Sequence, residues 1–181
     1  RRNLLLEINY PLLDQISIYK ISGEKILDHA ELGDLKPFNS RPIAHRNFLY
    51  PLKIEASQAL KVMVRVKTTS NVKVSLFIHD QSVFWQRDAK DTMIQGLYFG
   101  IMLIMIIYNA FIYLTIRSGA YFFYVLFVTT HGVLELCIVG FDYQYIWPES
   151  SIIHEKSLPI VGLLSSISYL CFSSAFLRLK Q

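Results

Sequence analysis

The stretch "DTMIQGLYFGIMLIMIIYNAFIYLTIRSG", residues 91–119, decides the fold of this chain because no charged residue stands between Asp91 and Arg117. An α-helix rises about 1.5 Å per residue, so residues 92–116 would form a helix roughly 37 Å long. That length crosses a hydrocarbon core of ~30 Å with some tilt. The stretch therefore predicts a transmembrane helix at about residues 93–116.

Two further apolar stretches follow, at about residues 120–142 and 157–177. Any one of the three could be a buried helix of a soluble protein, but three in succession near the spanning length favour a membrane. The composition agrees, because only 18% of the residues are charged, against about 25% in an average soluble domain. We predict that residues 93–181 form a region of three transmembrane helices in a lipid bilayer.

The residues before this region alternate between apolar and polar side chains, a pattern typical of half-buried β-strands. The segment "KVMVRVK", residues 61–67, is an example. It continues to Thr68, and comparable runs occur at residues 4–10, 16–18, 48–54 and 72–78. We predict an all-β antiparallel sheet or sandwich over residues 1–84, N-terminally incomplete because so short a segment seldom completes a sandwich. Residues 85–92 would be a juxtamembrane connector.

Charge and motifs exclude several classes of function. The net charge is +4, but the basic residues are interspersed with acidic ones and form no stripe for nucleic acid. Cys137 and Cys171 lie in apolar runs and predict no disulfide framework. The chain has no phosphate-binding glycine loop, and its histidines show no metal-ligand spacing. We therefore expect no cofactor, no metal ion and no enzymatic activity.

The distribution of lysine and arginine predicts the orientation in the membrane. Arg117 lies in the short loop after the first span, and Arg178 and Lys180 follow the third span. The loop between the second and third spans is net acidic. By the positive-inside rule, the C-terminus is cytoplasmic and residues 1–91 lie outside.

Small residues form one candidate packing site in the first span. Gly96 and Gly100 are one turn apart, a GxxxG pattern that lets another helix approach closely. The pattern fits packing within one helical bundle, and it also fits a homodimer.

Polar residues inside the spans form a second group of candidates. Glu135 lies in the second span with His131 one turn before it. A carboxylate in a membrane is costly and suggests a function, whereas pairing with His131 would be structural. Asn109 in the first span is expected to form hydrogen bonds within the bundle.

The segment "PFNSRPIAHRNFLYPL", residues 37–52, contains a candidate ligand site. It concentrates arginine, histidine and aromatic side chains: Arg41, His45, Arg46, Phe48 and Tyr50. Arginines beside aromatic rings can recognise a sugar, a carboxylate or a phosphate. The alternative is structural, because arginine side chains also pack on aromatic rings to hold turns.

Four segments together resemble a known family: "LEINYPLLDQISIY", "GDLKPFNSRPIAHRNFLYPL", "GLYFGIMLIMIIYNAFIYLTIRSGAYFFYVLF" and "FDYQYIWPE". In this order they are similar to the bacterial seven-transmembrane receptors with diverse intracellular signalling modules. The resemblance implies a jelly-roll-like outer domain similar to carbohydrate-binding modules, then seven helices and a cytoplasmic cyclase or kinase. It also implies the bacterial inner membrane. This chain would contain three of the seven helices. It would also contain the β-domain, but without the first strands of that domain.

Three classes of function follow from these observations. A receptor would bind a ligand, such as a carbohydrate, in the β-domain and pass the signal through "FWQRDAKD", which has no flexible linker. A transporter with an attached solute-binding domain is the alternative, which Glu135 favours. A tethered carbohydrate-active enzyme needs two converging carboxylates, and the acidic residues before the first span suggest none.

Overall fold

A computed structural model describes residues 2–54, 60–69 and 72–178. Its contacts divide the chain into two compact units. Residues 1–88 and 138–155 form one unit, called here the β unit, and residues 89–137 and 156–181 form the other, the helical unit. The segment between the second and third spans thus belongs with the β-domain.

In the described part of the chain, six strands form two antiparallel sheets, and the predicted β-sandwich is confirmed. The strands are β1 (Arg2–Ile8), β2 (Gln15–Ser22), β3 (Lys25–Leu32), β4 (Phe48–Ile54), β5 (Lys61–Lys67) and β6 (Leu76–Asp80). One sheet has the order β4-β1-β6 and the other β3-β2-β5. The alternation of β5 places Val62, Val64 and Val66 against the core and its charged residues outside.

One strand escaped prediction. Strand β3 pairs with β2 through a two-residue turn, since Ser22 lies opposite Lys25. Gly23 in this turn has a φ of 60°, a left-handed conformation that glycine adopts readily. Strand β3 lacks a clear apolar face, because most of its side chains are exposed. Strand β6 begins at Leu76, four residues later than the start of the predicted run at residue 72.

Among the described residues, three helices are long and apolar enough to cross a membrane, as predicted. They are α1 (Gln81–Ile116), α2 (Gly119–Val139) and α3 (Ser151–Arg178). Helix α1 begins early because Asp80 accepts hydrogen bonds from the backbone and side chain of Ser82, an N-terminal cap. The predicted connector is therefore helical. Because α3 also begins early, Pro159 lies inside the helix.

Strands β1 and β4 of the sheet β4-β1-β6 are buried on both faces, whereas most of β6 is exposed. One face joins β2 and β3 in the main core, with Ile8, Ile18 and Phe48 almost inaccessible. The opposite face carries Leu5 and Leu49, which pack with Phe84 of α1. Burial on both faces explains why β4 has three consecutive buried residues where simple alternation predicts two.

Candidate functional site: a buried polar junction in the β unit

Arg41 is held inside the β unit by aromatic rings and carbonyl groups. Its guanidinium lies 4.6 Å from the ring centre of Phe38, 4.4 Å from Phe48 and 5.5 Å from Tyr143. Its Nη1 donates hydrogen bonds to the carbonyls of His45, at 2.7 Å, and Arg46, at 3.0 Å. Burial lowers the pKa of Arg41 to about 10, so the side chain stays charged at neutral pH.

The two neighbouring basic residues meet a carboxylate on α1. Asp88 Oδ1 lies 3.0 Å from both His45 Nε2 and Arg46 Nη2. The backbone N–H of Asn47 donates to His45 Nδ1 at 3.0 Å, which leaves Nε2 as the protonated nitrogen that donates to Asp88. The Arg46 guanidinium also lies over the ring of Phe141, 5.0 Å from its centre.

A second buried carboxylate fixes the end of this segment to the sheet. Glu7 of β1 accepts hydrogen bonds from Asn47 Nδ2, at 2.7 Å, and lies 3.1 Å from Nε2 of His79 on β6. Because Glu7 is only 4% exposed, these partners replace the water that its ionised form would otherwise require.

The segment between α2 and α3 contributes the remaining side chains of the buried polar cluster. We call this cluster, formed by residues 34–47 with Glu7, His79, Asp88 and residues 141–154, the junction. Asp142 is fully buried, with Oδ2 2.8 Å from Nδ1 of His154 and 3.2 Å from the indole nitrogen of Trp147. The ring of Tyr143 stacks on His154 at 4.4 Å, and its hydroxyl donates to the carbonyl of Lys36. Residues 142–146 form a π-helical turn, a conformation often found at functional sites.

Asp34 lies beside these groups without a full set of partners. It is 7% exposed, and its Oδ1 has no hydrogen-bond partner among the residues that the structure describes. Burial raises the pKa of Asp34 to about 6, while the nearby charges of His154 and Arg41 act in the opposite direction. This carboxyl group therefore titrates close to neutral pH.

The predicted ligand residues are partly brought together. Arg41, His45, Arg46 and Phe48 share the junction, whereas the hydroxyl of Tyr50 donates to Asp28 on β3. Burial, with this contact, raises the pKa of Tyr50. The arginine and histidine side chains are buried and bonded to protein groups, so their binding of a ligand stays a prediction.

Sequence reasoning missed the acidic half of the junction. The sequence pattern does not identify Asp88, Asp142 or Glu7 as members of the site, nor His154 as a partner. The one available signal was an acid placed between aromatic residues in "FDYQYIW". In the described part of the chain, no set of three or more histidine, cysteine or acidic residues is arranged to hold a metal ion.

The candidate residues in the helical unit contact groups of their own helix or face open space. Glu135 Oε1 lies 3.9 Å from Nε2 of His131, and Asn109 donates to the carbonyl of Met105 in its own helix at 2.8 Å. A Cβ atom added at Gly96 or Gly100 would meet no atom within 4 Å. Roles for these residues in signalling, packing or dimerisation stay predictions.

Two family models match the chain. One described as 7TM diverse intracellular signalling matches residues 91–181, and one described as 7TMR-DISM extracellular 2 matches residues 1–80. The first covers half of the chain. Neither a curated protein nor a solved structure matches the chain significantly. The interval between the two matches falls in the first turns of α1.

Proposed function

The chain belongs to the family of seven-transmembrane receptors with diverse intracellular signalling modules, and on that premise we propose that its β unit senses a ligand outside the cell and passes the signal to the membrane helices. The family and the apolar helices make it a membrane protein with an extracellular domain. A cytoplasmic output domain would receive the signal.

The observation that carries the proposal is the position of residues 37–47 in the β unit. On one side this segment binds α1 through the contacts of His45 and Arg46 with Asp88. On another side it binds the α2–α3 segment, since Phe38 N–H donates to the carbonyl of Pro148 at 3.0 Å. A ligand that moved this segment would therefore disturb contacts to residues at the start of α1 and between α2 and α3.

The ligand we propose is a carbohydrate or another oxygen-rich molecule, and Arg41, His45, Arg46, Phe48 and Tyr50 are its candidate contacts. Support comes from the arginines and aromatic rings in the segment. Because these arginines already bond to protein groups, a ligand would reach them only after the junction opened. Ligand binding would then at the same time break the contacts of residues 37–47 with α1 and with the α2–α3 segment.

A ligand-dependent change in fluorescence tests whether the protein acts as a receptor. A fluorophore is attached to Ser118→Cys, between α1 and α2, in a variant without the native cysteines, reconstituted in nanodiscs with oligogalacturonate or maltose as probes. We expect a probe that binds by calorimetry to change the fluorescence. Asp88→Asn should keep measurable binding and lose most of that change, because a neutral amide cannot hold both Arg46 and His45 as a carboxylate does.

Two results would contradict this proposal. If a probe binds but leaves the fluorescence unchanged, the proposed transfer of a signal from the β unit to the helices is wrong. Accumulation of the bound probe inside proteoliposomes would instead favour the transporter. Glu31→Gln is the matched control, because this acid is exposed and its carboxylate pairs with the side chains of His29 and Lys36.

We propose that the C-terminus is cytoplasmic and that the membrane is a bacterial inner membrane. Single cysteines at Ser118 and Ser150 then lie on opposite sides. An impermeant thiol reagent applied to intact spheroplasts should label Ser150→Cys and leave Ser118→Cys unlabelled until the cells are lysed. The reverse pattern would place the β unit inside the cell. The positive-inside rule favours this orientation because Arg117, Arg178 and Lys180 would face the cytoplasm. Lys180 lies outside the described residues.

A further inference from the structure

The junction contains two buried carboxyl groups beside two basic side chains. Asp34 and Asp142 are at most 7% exposed, and Arg41 and His154 are 9% and 2% exposed. Burying a carboxyl group is unfavourable unless hydrogen bonds replace its water, and the two carboxyl groups differ in the hydrogen bonds that they receive.

The geometry favours Asp34 over Asp142 as the group that binds a proton. One oxygen of Asp142, Oδ2, accepts a hydrogen bond from the indole of Trp147 at 3.2 Å and lies 2.8 Å from Nδ1 of His154. Oδ1 of each carboxyl group has no hydrogen-bond partner among the described residues, so Asp142 is held by two groups through its other oxygen. A buried carboxyl oxygen without a donor favours the protonated form.

We propose that the Asp34 carboxyl, at the contact between the 34–41 segment and the α2–α3 segment, takes up a proton as the outside becomes mildly acidic and thereby stabilises the junction. The charged and titratable groups that face Asp34 from the surrounding elements are Asp14, Arg41, Tyr143, His154 and Glu155. The regulation of signalling by external pH rests on the proposed function, whereas the local titration does not.

The direction of the effect follows from the two states. The pKa of Asp34 is about 6 in the folded protein and 3.8 in a free side chain. The folded state therefore binds more protons than the unfolded state between these values, and its stability rises as the pH falls through 6. Above that pH the buried carboxylate is ionised and weakens the junction.

Trp147 reports on the titration because its indole donates to Asp142. The second tryptophan is removed by Trp85→Phe, and the emission of Trp147 is followed from pH 7.5 to 5 in the whole chain in nanodiscs. We expect a transition with a midpoint near pH 6, and a urea midpoint that rises as the pH falls. Asp34→Asn should abolish both changes, while Glu31→Gln, at an exposed acid, should leave both in place.

A second variant tests the proposal if Asp34→Asn fails to fold. The charge of His154 lowers the pKa of Asp34, so His154→Gln should move the transition to a higher pH. An unchanged midpoint in His154→Gln, a transition that persists in Asp34→Asn, or a wild-type chain without any transition would each overturn the proposal. A chain that titrates as expected but gives no ligand-dependent fluorescence at position 118 would refute the receptor and not the proton site.

Discussion

Arg41→Ala is expected to destabilise the β unit by about 3–5 kcal/mol. Each of its two charge-assisted hydrogen bonds contributes about 1.5–3 kcal/mol, and contributions from one side chain are not additive. The substitution also leaves the carbonyls of His45 and Arg46 buried without this donor and removes the cation from three aromatic rings. It is therefore one of the two most damaging single changes we expect.

Urea denaturation of the whole chain in nanodiscs, followed by tryptophan fluorescence, measures this effect. With a slope of about 1–3 kcal/mol per molar urea, the midpoint should fall by more than about 1 M. Arg65→Ala is the matched control, because Arg65 is an exposed cation on β5 and surface changes usually stay within about 0.5 kcal/mol. Arg41→Lys should lie between them, since lysine keeps the charge without the planar fork.

The result also decides between the two interpretations of "SRPIAHRNF". A large loss of stability means that Arg41 holds the fold, so any ligand must act by opening the junction. If Arg41→Ala were as stable as Arg65→Ala, the Arg41 guanidinium would not be needed for stability and could serve to bind a ligand. The direct ligand site would then be the better explanation of this segment.

The sequence predicted those strands and helices whose pattern of apolar and polar residues is imposed by their immediate surroundings. Strand β5 was predictable because one face meets the core and the other meets water, which imposes alternation. The helices were predictable because a membrane demands long uncharged runs. Strand β3 was not, because it is an edge strand with most of its side chains exposed, and its clearest signal was the turn at Gly23.

The site divides in the same way. Arg41, His45, Arg46 and Phe48 come from one contiguous segment, so their composition alone identified a cluster. Their partners come from distant parts of the chain, and Tyr143 follows Arg41 by about a hundred residues. In the sequence, residues 142–156 looked like an ordinary outer loop between two spans. Only tertiary packing shows that this loop is part of the β unit.

Gly33 gives the other large effect, because the chain passes another strand there without room for a side chain. Its φ is 148°, which side chains rarely tolerate, and a Cβ atom would lie 2.1 Å from the backbone oxygen of Asp14. The next residue, Asp34, donates its N–H to the carbonyl of Leu13 at 2.9 Å. Gly33→Ala must displace this backbone contact and with it the carboxyl group of Asp34.

We expect Gly33→Ala to destabilise the β unit by about 3–5 kcal/mol, since backbone strain contributes about 1–3 kcal/mol and steric overpacking a similar amount. Gly23→Ala is the matched control: its φ is 60°, but a Cβ atom there meets nothing within 4 Å, so only about 1–2 kcal/mol should be lost. The urea midpoints of the two variants give the comparison. Equal losses would show that the backbone near Asp14 yields easily. A much larger loss for Gly33→Ala, together with a Trp147 emission that no longer responds to pH, would tie the position of Asp34 to this close approach.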